Sequence, residues 1–178
     1  MRVLDIGAGT TPDIRATHAI EKENRRSKWL KQGQKFSVDQ LKPVGLTDFD
    51  RAAMRGVWSE IEYKYGVNFN KDRFPYPDNY FDMVVSSNAL LRSLTGRSLN
   101  AFREAHRVVK GGGKFEVKFA GSDTKEGLRK HLDFITQSLR LVGFHNIQRG
   151  RSKYSSGYYP IFSNVSFDTS GYIVSGTK

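Results

Sequence analysis

Val3-Leu4-Asp5-Ile6-Gly7-Ala8-Gly9 opens the chain with an apolar strand that carries an acid near its end and runs straight into a two-glycine turn. Glycine is needed where backbone takes positive φ or where a ligand must approach with no Cβ in the way. Open parallel sheets bind their ligands at the carboxyl ends of strands, where this turn would sit. The stretch therefore reads as a ligand turn, with plain turn geometry as the alternative, since glycine also serves tight turns that bind nothing. A dinucleotide fingerprint would need glycine where Pro12 stands, followed by a helix whose N-terminus receives a pyrophosphate. Only a few residues separate Gly9 from the next apolar stretch, at 16–20, so a ligand without phosphate suits the turn better.

Working outward, elements of two periods alternate. Met54, Trp58, Ile61 and Tyr65 recur at helical spacing behind a Thr47 or Asp48 cap, and Gly66 supplies a stop; a strand is expected at 67–69. Apolar residues run on without alternation at 81–86, the pattern of a strand buried on both faces. Thr95 caps a helix bearing Leu99, Phe102, His106 and Val109. The turn Gly111-Gly112-Gly113 then leads into a strand at 115–119. Asp123 and Glu126 resemble a capping box for a helix with Leu128, Leu132, Ile135, Leu139 and Val142 on one stripe, closed by Gly143. Final strands are expected at 144–148 and 172–175. Strands separated by helices imply mostly parallel pairing, because parallel neighbours need a long crossover. The expectation is one α/β domain over residues 1–178, with a basic, helical insertion at 22–66 and a long loop at 149–170.

Composition bounds the function classes. No cysteine is present, which removes disulfides, thiolate zinc sites and thiol nucleophiles together. His18, His106, His131 and His145 are scattered without ligand spacing, so no metal is expected, and no serine-hydrolase elbow occurs. The apolar runs are far shorter than the ~20 residues of a membrane span. No membrane association is expected, and a cytoplasmic location is the simplest reading. Twenty-nine Lys and Arg against eighteen Asp and Glu give a formal charge of +11, which favours polyanions such as nucleic acid, with a merely solvated basic surface as the alternative.

Four motifs in order then resemble one family. The opening Val3 to Gly9 turn resembles motif I of class I S-adenosylmethionine-dependent methyltransferases. Phe74-Pro75-Tyr76-Pro77-Asp78-Asn79-Tyr80-Phe81-Asp82-Met83-Val84-Val85-Ser86-Ser87-Asn88 is similar to their "PFPDNSFDVVVSSH" segment. Ala101-Phe102-Arg103-Glu104 through Gly111-Gly112-Gly113-Lys114 is similar to "LREIxRVLKPGG", and 139–147 to "LEEAGFxNV". The resemblance implies a doubly wound, mostly parallel seven-stranded sheet with an antiparallel last strand, S-adenosylmethionine as cofactor, and methyl transfer to a nucleic acid or small molecule. Thr11 and Pro12 depart from motif I, and the helix after the first strand and any covering N-terminal helix are missing from the pattern.

Carried over position by position, the resemblance places Gly7, Ala8 and Gly9 at the methionine end of the cofactor, with Asp5 fixing the turn and the ammonium. Glu21 would accept hydrogen bonds from both ribose hydroxyls, a task suited to a carboxylate; Glu23 is its competitor. Asp72 would meet the adenine amino group, and Phe74 would pack on the ring or seal the core. Ser86, Ser87 and Asn88 would face the sulfonium and substrate, Asn88 standing where relatives often carry a histidine. Arg149, Arg151, Lys153 and Tyr154 form an expected acceptor-binding rim suited to phosphates and exposed bases. The alternative class is a non-catalytic module of this fold, part of a larger polypeptide, that binds nucleic acid or protein.

Overall fold

The computed structural model describes residues 1–7, 13, 15–22, 62–87, 89–92, 99–119, 124–152 and 171–178. Outside them lie all but the last residues of the helix expected between the Thr47 or Asp48 cap and Gly66, most of the basic stretch 22–35, Ala8, Gly9, Thr11, Pro12, Glu23, Asn88, Thr95, Asp123, Lys153 and Tyr154.

Seven strands form one sheet: β1 (Val3–Ile6), β2 (His18–Glu21), β3 (Glu62–Tyr65), β4 (Phe81–Ser87), β5 (Val109–Phe119), β6 (His145–Ser152) and β7 (Gly171–Thr177). Their order is β3-β2-β1-β4-β5-β7-β6. β1 to β5 pair in parallel, and β7 runs antiparallel between β5 and β6, as the resemblance implies. Order reverses at β1, which pairs with β2 on one side and β4 on the other, so the turn after β1 occupies the switch point where such sheets bind ligands.

Three helices are described: α1 (Ala89–Arg92), α2 (Asn100–Val108) and α3 (Lys125–Leu141). Because side chains alternate along a strand, each strand serves two faces. One face sends Leu4, Ile6, Val84, Phe115, Val117 and Phe119 into a core closed by Phe102 and Ala105 of α2 and Ile135 and Leu139 of α3. The rings of Phe102 and Phe144 lie 5.9 Å and 5.7 Å from that of Phe115. The second face is different in kind. Val3, Met83 and Val85 form a small apolar cluster there, and the alternating positions of β5 on this face are Lys114, Glu116 and Lys118. The register aligns Asp5 with Val85, Val85 with Glu116 and Glu116 with Ser175, a row that crosses four strands.

Several boundaries differ from the sequence reading. The third strand lies at Glu62–Tyr65, not 67–69, so Tyr65 ends a strand rather than a helix; Glu62-Tyr63-Lys64-Tyr65 alternates at period two, which suits a sheet edge. The three glycines lie inside β5, where four residues bulge out opposite Asp82 alone, between the Phe81–Val109 and Met83–Lys114 pairs. The backbone of Lys178 closes that bulge through bonds to Gly112 and Gly113. Thr124, rather than Asp123, is the N-cap of α3, its hydroxyl accepting from the Gly127 N–H at 3.0 Å. β6 continues to Ser152, so Arg149 and Arg151 belong to a strand and not to a loop.

Candidate functional site

The carboxyl ends of β1, β2 and β4 converge on Gly7. Its N–H donates to the Ile20 carbonyl at 2.9 Å, docking the turn on β2. The buried Ser86 hydroxyl donates to the Ile6 carbonyl at 3.0 Å, docking it on β4. Gly7 adopts φ +69°, and a Cβ built there would collide with the Ala89 Cβ and stand 3.6 Å from the Phe69 ring. Only glycine combines that backbone with that space.

Asp5 is 1% exposed. One oxygen, Oδ2, accepts the Asp13 N–H at 2.7 Å; the other, Oδ1, is buried and has no partner among the described residues. Burial pushes the Asp5 carboxyl up to about 8, opposed by the Asp13 N–H and the Lys118 charge and reinforced by the charges of Asp13 and Glu21. Glu21 ends β2, buried, with Oε1 accepting the Lys22 N–H at 2.8 Å. Two carboxyl groups thus stand near the ends of adjacent strands, close enough for the Glu21 charge to bear on Asp5.

The remaining expected residues separate into distinct roles. Asp72 closes a turn: its Oδ2 accepts the Asn68 N–H at 2.7 Å, and its carbonyl accepts from the Asn100 side chain at 2.8 Å. Phe74, expected on the adenine ring or in the core, is a core side chain, 1% exposed. The aromatic ring beside the glycine turn is Phe69, which sequence reading missed by assigning it to a strand. Ser86 points its hydroxyl at β1 rather than outward. Ser87 ends β4, while Asn88, Ala8 and Gly9 fall outside the described residues. Arg149 is drawn to α3, donating to Thr136 Oγ1 and Asp133 Oδ1, both at 2.9 Å, which is a packing role and not an open phosphate site. Arg151 pairs in register with Tyr172 on the exposed edge strand.

Sequence reading also missed an ionic group on the second face. Asp13 follows the turn and is held by Arg15 and Lys118, and Arg15 reaches Glu116 at 2.8 Å. Burial works against the Asp13 charge, but the hydrogen bonds from Arg15 and Lys118 hold its carboxyl well below the usual carboxylate range. The available signal was the alternation Lys114, Glu116, Lys118 against Phe115, Val117, Phe119: one face of a central strand was charged.

Comparison with known proteins agrees with the fold. A family described as methyltransferase domain matches residues 40–117, which takes in β3, β4 and most of β5 and leaves the Gly7 turn outside. A ubiquinone/menaquinone biosynthesis C-methyltransferase of Shewanella oneidensis is 32% identical over 144 residues, covering 76% of this chain and 49% of the relative. The chain thus spans about half the length of the curated relatives it matches. Among solved structures, a methyltransferase of Thermotoga maritima, described as a possible histamine N-methyltransferase, superposes with a TM-score of 0.59 at 14% identity, covering 99% of this chain and 82% of the other. A [4+2]-cyclase, SpnF, does so with a TM-score of 0.60 at 19% identity, covering 100% and 74%. At such identities the likeness shows the fold, and one fold hosts both a transferase and a cyclase.

Proposed function

The chain belongs to the class I S-adenosylmethionine-dependent methyltransferase family, and from that premise we propose that it holds the cofactor at the carboxyl ends of β1 and β2 and transfers its methyl group to a small organic acceptor. The carrying observation is the buried Oδ1 of Asp5, without a partner among the described residues, close to Gly7, where no Cβ fits. A buried acceptor without a donor costs on the order of 1–3 kcal/mol, a cost that a ligand's N–H would relieve. The residues present fit such a ligand. Asp5 accepts from the ammonium, Glu21 accepts from the ribose hydroxyls, Gly7 lets the chain approach, and Phe69 offers the flanking ring expected of Phe74.

When bound, the cofactor supplies a methyl group already activated by a sulfonium. The protein's share is therefore positioning, which in well-oriented systems is worth about 7–11 kcal/mol of barrier. Ser86 and the Gly7 N–H fix the turn on both neighbouring strands, so its placement does not rest on the turn residues alone. Support for a small acceptor comes from the named chemistry of the curated relatives. The formal charge of +11 favours a second reading, a nucleic-acid acceptor. Loss of Arg149 from the expected basic rim weighs against it. Among the described residues no helix is long and apolar enough to cross a membrane; a cytoplasmic location is part of the same proposal.

Calorimetry with S-adenosylhomocysteine tests the cofactor, and absence of binding refutes it. Tritium from labelled S-adenosylmethionine, followed into a cell extract, tests the acceptor: label in the small-molecule fraction supports the proposal, and nuclease-sensitive label in the polymer fraction supports the second reading.

A further inference from the structure

Asp13 bears four inward donors on a nearly buried carboxylate. Arg15 donates from its backbone N–H and its Nε to Oδ1, at 3.0 and 2.9 Å, and from a terminal nitrogen to Oδ2 at 3.0 Å. Lys118 Nζ reaches Oδ2 at 2.6 Å. Arg15 continues to Glu116 Oε2 at 2.8 Å and to the Met83 sulfur at 3.6 Å, and Lys114 pairs with Glu116 at 3.1 Å. The group therefore ties the segment after the β1 turn to β5, two strands away, across β4. Asp13, Glu116 and Lys118 have side chains only 5%, 9% and 12% exposed. Burying ions is expensive, and an apolar replacement is often no less stable. A stability role alone is thus a weak account of this network. Its geometric effect is specific, because the same residue sends its backbone N–H to Asp5 Oδ2 at 2.7 Å.

We propose that Asp13 is the positioning residue of the cofactor turn: clamped by Lys118 and Arg15, it engages one oxygen of Asp5 and so presents the other to the ligand's ammonium. This rests on the cofactor reading above. Asp13 touches no reacting atom in this scheme and acts through Asp5. The groups that bear on the Asp5 carboxyl are Asp13 and Glu21, which disfavour its charge, and Lys118, which favours it. The clamp thus tunes the charge of Asp5 as well as its orientation.

The test uses Lys118→Met, which keeps the side-chain length and removes the donor, with Lys118→Arg as the conservative rescue. S-adenosylhomocysteine binding is measured by calorimetry from pH 6 to 9, beside exchange of the Asp13 amide. Expected are a loss of affinity of about tenfold in Lys118→Met, restored to within about threefold by Lys118→Arg. The pH midpoint of binding should move upward as the Lys118 charge is lost, and the Asp13 amide should exchange faster; a role confined to the Lys118 charge would move the midpoint and leave Asp13 exchange unchanged, which refutes the positioning role. Parental affinity with an unmoved midpoint refutes the positioning role alone, whereas a parent that binds no S-adenosylhomocysteine refutes it together with the cofactor reading. Should Lys118→Met fail to fold, Glu116→Gln loosens only the outer hold on Arg15. A loss of about threefold with faster Asp13 exchange then supports the proposal, and no change in either refutes it.

Discussion

Asp5 makes the stability of this fold depend on pH with a sign opposite to that of most carboxylates. Its carboxyl titrates at about 8 in the folded chain, raised by burial, against about 3.9 when unfolded. Between those values the folded state holds a proton that the unfolded state has released. Stability therefore falls as pH rises through this window and levels off above 8. The slope approaches about 1.4 kcal/mol per pH unit, so the step from pH 5.5 to 7.5 removes about 2 to 3 kcal/mol. Asp5→Asn is the matching perturbation, because the amide has nearly the same shape and does not titrate. It adds a fixed penalty for a buried N–H but no slope. His18 and His106, both lowered by burial, and Asp13 also titrate, yet their contributions are shared by both proteins and cancel in the difference. Urea unfolding followed by circular dichroism at half-unit steps from pH 5.5 to 8.5 gives the two curves. The parent's advantage should shrink with pH at the stated slope, and curves that stay parallel refute the assignment of a buried, protonated Asp5.

The same carboxyl predicts that S-adenosylhomocysteine binds more tightly as pH rises towards 8, by up to about tenfold per unit, with proton release seen as a buffer-dependent enthalpy; Asp5→Asn should bind with no such dependence. Glu21→Ala should weaken S-adenosylhomocysteine binding by about 1–3 kcal/mol, read by calorimetry, the scale of a charge-assisted bond to hydroxyls; unchanged affinity would remove Glu21 from the site. Phe115→Ala, which deletes the ring between Phe102 and Phe144, should cost about 3–5 kcal/mol in denaturant unfolding, and a loss below 1 kcal/mol would mean that this core does not close on β5.

What the sequence disclosed followed from local pattern. The apolar run Met83-Val84-Val85 of β4, the stripe of Leu128, Leu132, Ile135 and Leu139 on α3 and the turn at Gly7 each carry a period or a φ requirement that a single segment states by itself. Element order then fixed the sheet as mostly parallel. β3 was misread because Tyr65 and Gly66 satisfy two patterns at once. An aromatic four residues after Ile61 with glycine behind it looks like a helix end, yet the same tyrosine closes a strand paired with Glu21. Only the pairing partner decides between them, and that partner is more than forty residues away.

The site was legible where one strand end defines it and illegible where register does. Asp5, Gly7 and Glu21 stand at the ends of their own strands, so their placement needed only strand boundaries. The Asp13 clamp needs the alignment of Asp5 with Val85 and of Val85 with Glu116, which sets Lys118 one row above Glu116 and within 2.6 Å of a carboxylate 105 positions earlier in the chain. Read locally, Lys114, Glu116 and Lys118 are solvated charges on an edge. Placed by the sheet, they occupy a strand flanked on both sides. Charges on the inner positions of such a strand demand partners, and here the partners come from the segment that the glycine turn releases. The burial that makes the charges costly is thus what ties that turn to β5.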